Sequence, residues 1–571
     1  MIKFLSRSPV ILLTIAAALL LASCGTINGR NMVKRLPPSP YGDYLSARYA
    51  SSESDVTTAA RYYASALKKD PDNTALLQRA MLSAVFASRI EQAAKYAKPV
   101  LDANPDDRLA VLILASNAMA DGRYLDTETI LSNVQLGPLN KVAGGLIQGW
   151  ALQGQGKTDA ALAALDEVAL TPGLGGLSKF HKALILSQAG RSEAAEQAFE
   201  VSLQTGLLSY RTAYGLALKR WAENDEKGAI SALDKRLASN QNEIEAGFLR
   251  TKILAGERPR LAFATPKNGA GEALYGLAQA LASRSLQELA LIYLEMSLHI
   301  DPKNDAAKDL LARLYALQER GEDALAMFAK IQPDTPWYME AQMDRANALF
   351  RLERRKEAIQ GLQKLLAIQP NSRVKRALAT AYQVDKRYDD ALELFSQLIE
   401  DEPEKADWRL YFSRAVCLER TERWREAVPD FRKSLELQPK QADVLNYLGY
   451  TFINAGENLD EGFDMIRQAI ALSPKAGYIV DSLGWGYYKL GRFDEAVSEL
   501  EKAVKLEPGE PTINDHLGDA YWQVGRRLEA GFQWQRVLTL EPDEETDLAQ
   551  IKLKLEKGLP DLPASKLASG L

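Results

Sequence analysis

Residues 483–508 read LGWGYYKLGRFDEAVSELEKAVKLEP, and residues 517–542 read LGDAYWQVGRRLEAGFQWQRVLTLEP. Leu483, Gly484, Tyr487, Ala496, Ala503 and Pro508 of the first stretch return as Leu517, Gly518, Tyr521, Ala530, Val537 and Pro542, each 34 positions later. A unit of that length cannot bury a core by itself. Successive units must stack, each meeting only its neighbours, and the result is an extended array.

The same period runs back along the chain. Prolines close units at Pro302, Pro336, Pro370, Pro403, Pro439, Pro474, Pro508 and Pro542, at spacings of 34, 34, 33, 36, 35, 34 and 34. An alanine recurs as Ala290, Ala324, Ala358, Ala391, Ala427, Ala496 and Ala530. A large apolar residue follows each of them four positions later, from Leu294 and Phe328 to Leu500 and Trp534. Where two helices cross closely only a small side chain fits, and the next turn supplies the bulky plug. One unit departs, with Gly462 in the alanine position and an extra residue near Asn458. This spacing resembles the tetratricopeptide (TPR) motif, in which a helix pair carries L-G-x2-Y, then A-x3-F, then P. The resemblance implies an all-α TPR solenoid, a superhelix of helix-turn-helix repeats whose inner surface binds other proteins.

The first half is more worn. Ala59, Tyr63, Ala66 and Pro71 close one unit, and Ala93, Ala97, Val100 and Pro105 a second; weaker units follow around Gly149 to Val168 and Ala183 to Phe199. The stretch from Gly256 to Gly271, with Pro259, Pro266 and Gly269, interrupts the pattern. It reads either as a break between two arrays or as one long loop inside a continuous solenoid. The chain then divides into a signal peptide (1–23), a lipidated N-terminus and tether (24–40), a degenerate array (41–256), an interrupting loop (257–270), a regular array (271–542) and a capping helix with a flexible tail (543–571).

The chain has 571 residues, 46% of them hydrophobic and 25% charged, which is ordinary globular material. No strand-like alternation is sustained anywhere. The net charge of −5 argues against nucleic acid, whose binding shows as a basic surface. At the N-terminus, Lys3 and Arg7 precede an apolar run from Val10 to Ala22 that is too short for the roughly 20 residues a membrane-spanning helix needs. The run ends in Leu21-Ala22-Ser23-Cys24-Gly25, which resembles the lipobox of bacterial lipoproteins. By that resemblance Cys24 carries a diacylglycerol, and Gly25, not being aspartate, sends the protein to the periplasmic face of the outer membrane of a Gram-negative bacterium. Acyl chains contribute about 0.8 kcal/mol per buried methylene, so several of them make a durable anchor. Only Cys417 then remains, which leaves no internal disulfide. Near the other end Glu544 to Lys557 reads as an amphipathic cap, with Leu548, Ile551 and Leu555 on one face.

No catalytic constellation is present in the sequence. His181, His299 and His516 have no partner at metal-ligand spacing, Cys417 has no nearby histidine, and there is no G-x-S-x-G or P-loop. His516 reads as a surface or packing residue at the edge of the inner face. The expected protein is therefore not an enzyme, and the pattern implies no metal and no cofactor.

The TPR resemblance implies that the residues three before and one after the Gly of each first helix face the inner groove. Those are Asn446 and Tyr450, Asp481 and Trp485, and Asp515 and Asp519, with Trp522 a turn further on. The known clamps for a C-terminal carboxylate use lysine, arginine and asparagine there, so these aspartates and aromatics suit a basic or apolar helix or peptide instead. Read as exposed, Asp481 and Asp519 are expected to tolerate exchange to lysine with loss of partner binding and little loss of stability. The phrases Leu445-Asn446-Tyr447-Leu448-Gly449-Tyr450, Asp481-Ser482-Leu483-Gly484-Trp485 and His516-Leu517-Gly518-Asp519 resemble the large TPR lipoproteins of proteobacteria. The resemblance covers roughly residues 271–558 plus the lipobox. It implies an adaptor for a periplasmic carboxyl-terminal processing protease that presents substrates such as peptidoglycan hydrolases. The second expectation is a structural part of an envelope export machine for exopolysaccharide or pilus assembly.

Overall fold

The computed structural model describes residues 40–559 apart from 133–136, 172–174, 205–208, 242, 258–262, 283–285 and 543–545. The expected signal peptide (1–23), Cys24, nearly all of the expected tether (24–40) and the residues beyond 559 lie outside the described residues. Thirty α-helices, numbered α1 to α30 in chain order, run from α1 (Pro40–Ser52) to α30 (Leu548–Lys557), with no strand among the described residues. None of them is long and apolar enough to cross a membrane. The architecture is the expected all-α solenoid of stacked helix pairs.

One pair shows why the repeat folds. In α26 (Gly477–Lys489) and α27 (Phe493–Leu506) the buried faces are Ile479, Leu483 and Tyr487 against Ala496, Leu500 and Ala503. A Cβ on Gly484 would lie 2.6 Å from Leu500 Cγ, so the crossing requires glycine there. The turn between them carries Gly491 at φ +77, and the residue after it, Arg492, opens the second helix. Arg492 lies over the Tyr487 ring at 4.6 Å and donates to Glu495 at 2.6 Å. The same device recurs as Tyr315–Arg320–Asp323, Tyr382–Arg387–Asp390 and Tyr521–Arg526–Glu529, with ring distances of 3.9, 4.3 and 4.0 Å. Tyr-x4-Arg-x2-Asp/Glu is thus a clasp: the arginine at the start of the second helix lies over the ring of the first, and an i,i+3 ion pair within the second helix holds it there.

The departing unit has a steric cause. A Cβ on Gly449 would meet Gly462 O at 2.6 Å, and one on Gly462 would meet Gly449 O at 2.8 Å. The two backbones touch directly, so alanine is excluded from the position it holds in the other units. The extra residue Asn458 takes a left-handed conformation (φ 50) that absorbs the insertion.

The region read as an interruption is partly helical. Helix α14 (Pro266–Ala282) begins inside residues 257–270, with Thr265 Oγ1 accepting from Asn268 N at 3.2 Å and Pro266 opening the first turn. Gly269 is a crossing glycine, not a breaker: a Cβ there would lie 2.3 Å from Trp150 Cζ2. Helices α14 and α15 (Gln287–Ile300) fold back onto α3 (Thr74–Phe86), α5 (Arg108–Ala120), α7 (Pro138–Gly154) and α9 (Gly175–Gln188), each the first helix of its pair. Bonds across more than a hundred residues seal the contact. Lys267 Nζ donates to Ala120 O at 2.6 Å, Tyr293 to Asn140 at 3.0 Å and Ser88 to Glu295 at 3.0 Å. One core runs without a gap from Ala47 to Ala341. The inner face of the early repeats is therefore filled by the chain itself.

Candidate protein-binding groove

Three successive first helices build the groove: α24 (Ala442–Ala455), α26, and α28 (Pro511–Gln523). Of the residues expected there, Asn446, Tyr450, Asp481 and Trp485 line one cavity of about 620 Å³. Tyr447, Tyr478 and His516, which the sequence reading did not select, line it as well. The rings form a stack: Trp485 lies 4.4 Å from Tyr488 at 5° and 3.8 Å from His516 at 11°. His516 Nδ1 is 2.9 Å from Asp481 Oδ1. Burial works against a charged His516 ring, but Asp481, with Asp515 and Asp519 behind it, outweighs burial and holds the group above its ordinary value. The side-chain oxygen Oδ1 of Asn446 is buried and has no hydrogen-bond partner. An unmet acceptor beside an aromatic stack is equipped to take a donor from an incoming chain.

The expectation of exposure is corrected at both positions. Asp481 and Asp519 are only 8% and 6% exposed, Asp481 meeting His516 of the next first helix and Asp519 meeting Lys554 and Trp534. Lysines at 481 and 519 would remove the partner of His516 and one of the two aspartates that hold Lys554, and would bury two cations in their place, so that double exchange would destabilise the last repeats.

Asp515, Asp519 and Trp522 are not in the cavity; the chain's own end covers them. Lys554 Nζ of α30 donates to Asp515 at 2.7 Å and to Asp519 at 2.8 Å, and Asp519 also accepts from Trp534 Nε1 at 3.0 Å. Burial, then the Asp515 charge, push Asp519 up to about 6, while Lys554 pulls the other way. Trp522 packs on Trp534, with ring centroids 5.5 Å apart. The expected apolar face of the cap is narrower than read: only Ile551 is buried, Leu555 stays exposed, and Lys554 supplies the rest of the docking.

A sequence signal for the missed residues exists. Asp443 accepts from Tyr478, Asp481 meets His516 and Tyr488 accepts from Gln523, each pair 35 positions apart. The period places position i of one first helix beside i+35 of the next, and Asp519 to Lys554 continues the ladder into α30. Elsewhere the histidines and Cys417 are structural. Cys417 is buried in α22 (Trp408–Arg420) and its thiol is pushed up to about 12 by burial. His181 accepts from Trp150 Nε1 at 3.1 Å, and His299 pairs with Asn117 at 3.1 Å.

The repeats match known sequences. Family models described as tetratricopeptide repeat match residues 147–206, 376–442 and 340–372, and one described as TPR repeat matches 486–525. The chain is similar to TPR repeat-containing protein PA4667 of Pseudomonas aeruginosa, at 28% identity over 194 residues that cover 34% of this chain and 32% of that protein. It is also similar to human Tetratricopeptide repeat protein 13, at 27% identity over 243 residues covering 40% of this chain and 26% of that one. The similarity thus spans between a quarter and a third of the relatives' own length. Among solved structures, Cut9–Hcn1 of the APC/C aligns over 96% of this chain and 99% of its own, at 14% identity and a TM-score of 0.37. Yeast Tom70 aligns over 91% and 95%, at 15% identity and a TM-score of 0.35. With its 34-residue period, its paired helices and these matches, the chain carries tetratricopeptide repeats.

Proposed function

We propose that this chain is a lipid-anchored periplasmic scaffold whose C-terminal groove holds a segment of a partner protein, the partners being a carboxyl-terminal processing protease and its cell-wall hydrolase substrates. The observation that carries the reading is the cavity between α24, α26 and α28, where the Asn446 acceptor without a partner lies beside the Trp485 stack. The early repeats have their inner face filled by α14 and α15, which leaves the later repeats as the surface for a partner. The lipobox at Cys24 supports the anchor, and the resemblance of the later repeats to proteobacterial TPR lipoproteins supports the partner class. Binding protease and substrate to one anchored array raises their effective concentration with no chemistry from the scaffold itself. The test is affinity purification of the tagged, membrane-anchored protein from its own cells, as wild type and as Trp485→Ala, with mass spectrometry of what accompanies it. A protease and wall hydrolases in the wild-type fraction, depleted in Trp485→Ala, are the expected result. Polymer-export or pilus-assembly proteins in their place would overturn the adaptor reading in favour of an export scaffold.

A further inference from the structure

A second cavity, of about 450 Å³, lies where the early repeats hand over to the later ones, among α11 (Ser209–Ala222), α13 (Ile244–Leu254), α14 and α16 (Asp305–Leu317). Its inner wall carries a buried charge cluster. Arg211 donates through Nε to Glu272 Oε1 at 2.7 Å and through Nη1 to Glu245 Oε1, and three rings surround its guanidinium at 5.3 to 5.7 Å. Asp301 and Asp305 line the same wall, Asp305 taking Lys308 Nζ at 2.6 Å. Four buried carboxylates thus face two buried cations, Arg211 and Lys308; further out Lys252 and Lys303 are set against Glu257 and Asp334, so the formal excess stays at two negative charges. That excess is costly in a low-dielectric interior unless protons or further cations neutralise it.

One atom marks where the compensation is missing. Glu245 is 2% exposed, its Oε1 is held by Arg211, and its Oε2 is buried without a hydrogen-bond partner at the cavity wall. The rings of Phe248 and Trp337 line the cavity too, Phe248 with Lys252 Nζ over it at 5.5 Å, and Asp334 stands exposed in its lining. Among the described residues no three carboxylate, histidine or cysteine groups converge on a point that could hold a metal ion. The carboxylates are spread along a cavity, and aromatic faces complete it. This suits an extended organic cation, which meets carboxylates at its head and rings along its stem.

We propose that this cavity is a binding site for an alkylammonium or guanidinium group, with Glu245 as the inner acceptor, Trp337 as the stem contact and Asp334 at the entrance. A lysine or arginine side chain of a protein segment and a free polyamine share that chemistry.

The site is remote in sequence from the C-terminal groove, and its test uses the purified full-length chain alone in detergent. Its failure and failure of the scaffold reading are therefore separate outcomes. Calorimetric titration would compare N-acetyl-arginine amide, N-acetyl-lysine amide and spermidine with the neutral N-acetyl-norleucine amide. The expected result is saturable binding of the cations, none of the norleucine amide, and a loss of roughly tenfold or more in Glu245→Gln. Because Glu245→Gln also touches Arg211, Asp334→Asn on the exposed rim and Trp337→Leu are measured beside it, with circular dichroism to show that each is folded. A folded Asp334→Asn that binds about two- to threefold more weakly supports the site. Tighter binding of the amino-acid amides assigns the cation to a protein segment, and tighter binding of spermidine assigns it to a diffusible polyamine. The proposal is overturned if no cation binds, if the norleucine amide binds equally well, or if all folded variants bind as the wild type does.

Discussion

Replacing His181 with glutamine should flatten the acid sensitivity of the early repeats. His181 is buried against Phe180 and Trp150, its Nδ1 accepts from Trp150, and its Nε2 has no partner. Burial, and then the nearby Arg211 charge, hold the ring neutral and lower its pKa to about 3. The folded value is depressed below the ordinary 6.5, so the unfolded chain binds the proton first. The histidine's contribution is intact above pH 6.5 and is lost as pH falls from there towards 3. Between pH 7 and pH 5 the unfolded ring goes from mostly neutral to mostly charged while the folded ring stays neutral. The difference works out at about 2 kcal/mol, roughly thirtyfold in an opening equilibrium. Hydrogen exchange of α9, which carries His181, reads that opening directly. Wild-type α9 should lose about thirtyfold more protection than His181→Gln on going from pH 7 to pH 5, after correction for the intrinsic pH dependence of exchange. Glutamine keeps an acceptor for Trp150 and removes the titration. Equal pH slopes in the two proteins would refute the assignment of a neutral, proton-excluded histidine.

Three further outcomes follow from the packing. Gly269→Ala puts a methyl group inside the Trp150 ring, so roughly 1–3 kcal/mol of overpacking should lower the thermal midpoint and expose the seam between α14 and α7 to protease. Lys554→Met leaves Asp515 and Asp519 side by side with no cation, so α30 should exchange its amides at least about tenfold faster while α26 keeps its protection. Glu422→Gly relieves a left-handed non-glycine residue (φ 62) in the turn before Arg423, and should raise the unfolding temperature of its unit by an amount corresponding to at most about 1 kcal/mol; a fall would show that chain entropy outweighs the strain.

The later repeats were legible because their order is local. A 34-residue period, the Gly484–Leu500 crossing and the small-then-large spacing at Ala496 and Leu500 are set by neighbours in the chain, so the pattern survives in one dimension. The groove residues were legible to the same extent: Asn446, Tyr450, Asp481 and Trp485 come together because the repeat places them together. His516 and Tyr478 were missed because their partners lie one repeat plus one residue away, a register that appears only once the stacking offset of the first helices is known.

What the sequence by itself determined is the all-α repeat and the stacking of its helix pairs, since each rests on contacts within a unit or between adjacent units. Tertiary structure alone decided the rest. It turned Pro266 and Gly269 from apparent loop punctuation into the start and crossing point of α14, because the residue that needs the glycine, Trp150, is more than a hundred positions away. It filled the inner face of the early repeats with α14 and α15, and it placed Lys554 over two aspartates that look free in the sequence. It also gathered Arg211, Glu245 and Glu272 from three helices into one buried cluster. A superhelix closes on itself through small rotations added at every repeat, so contacts between its turns depend on their sum, and no single unit records it.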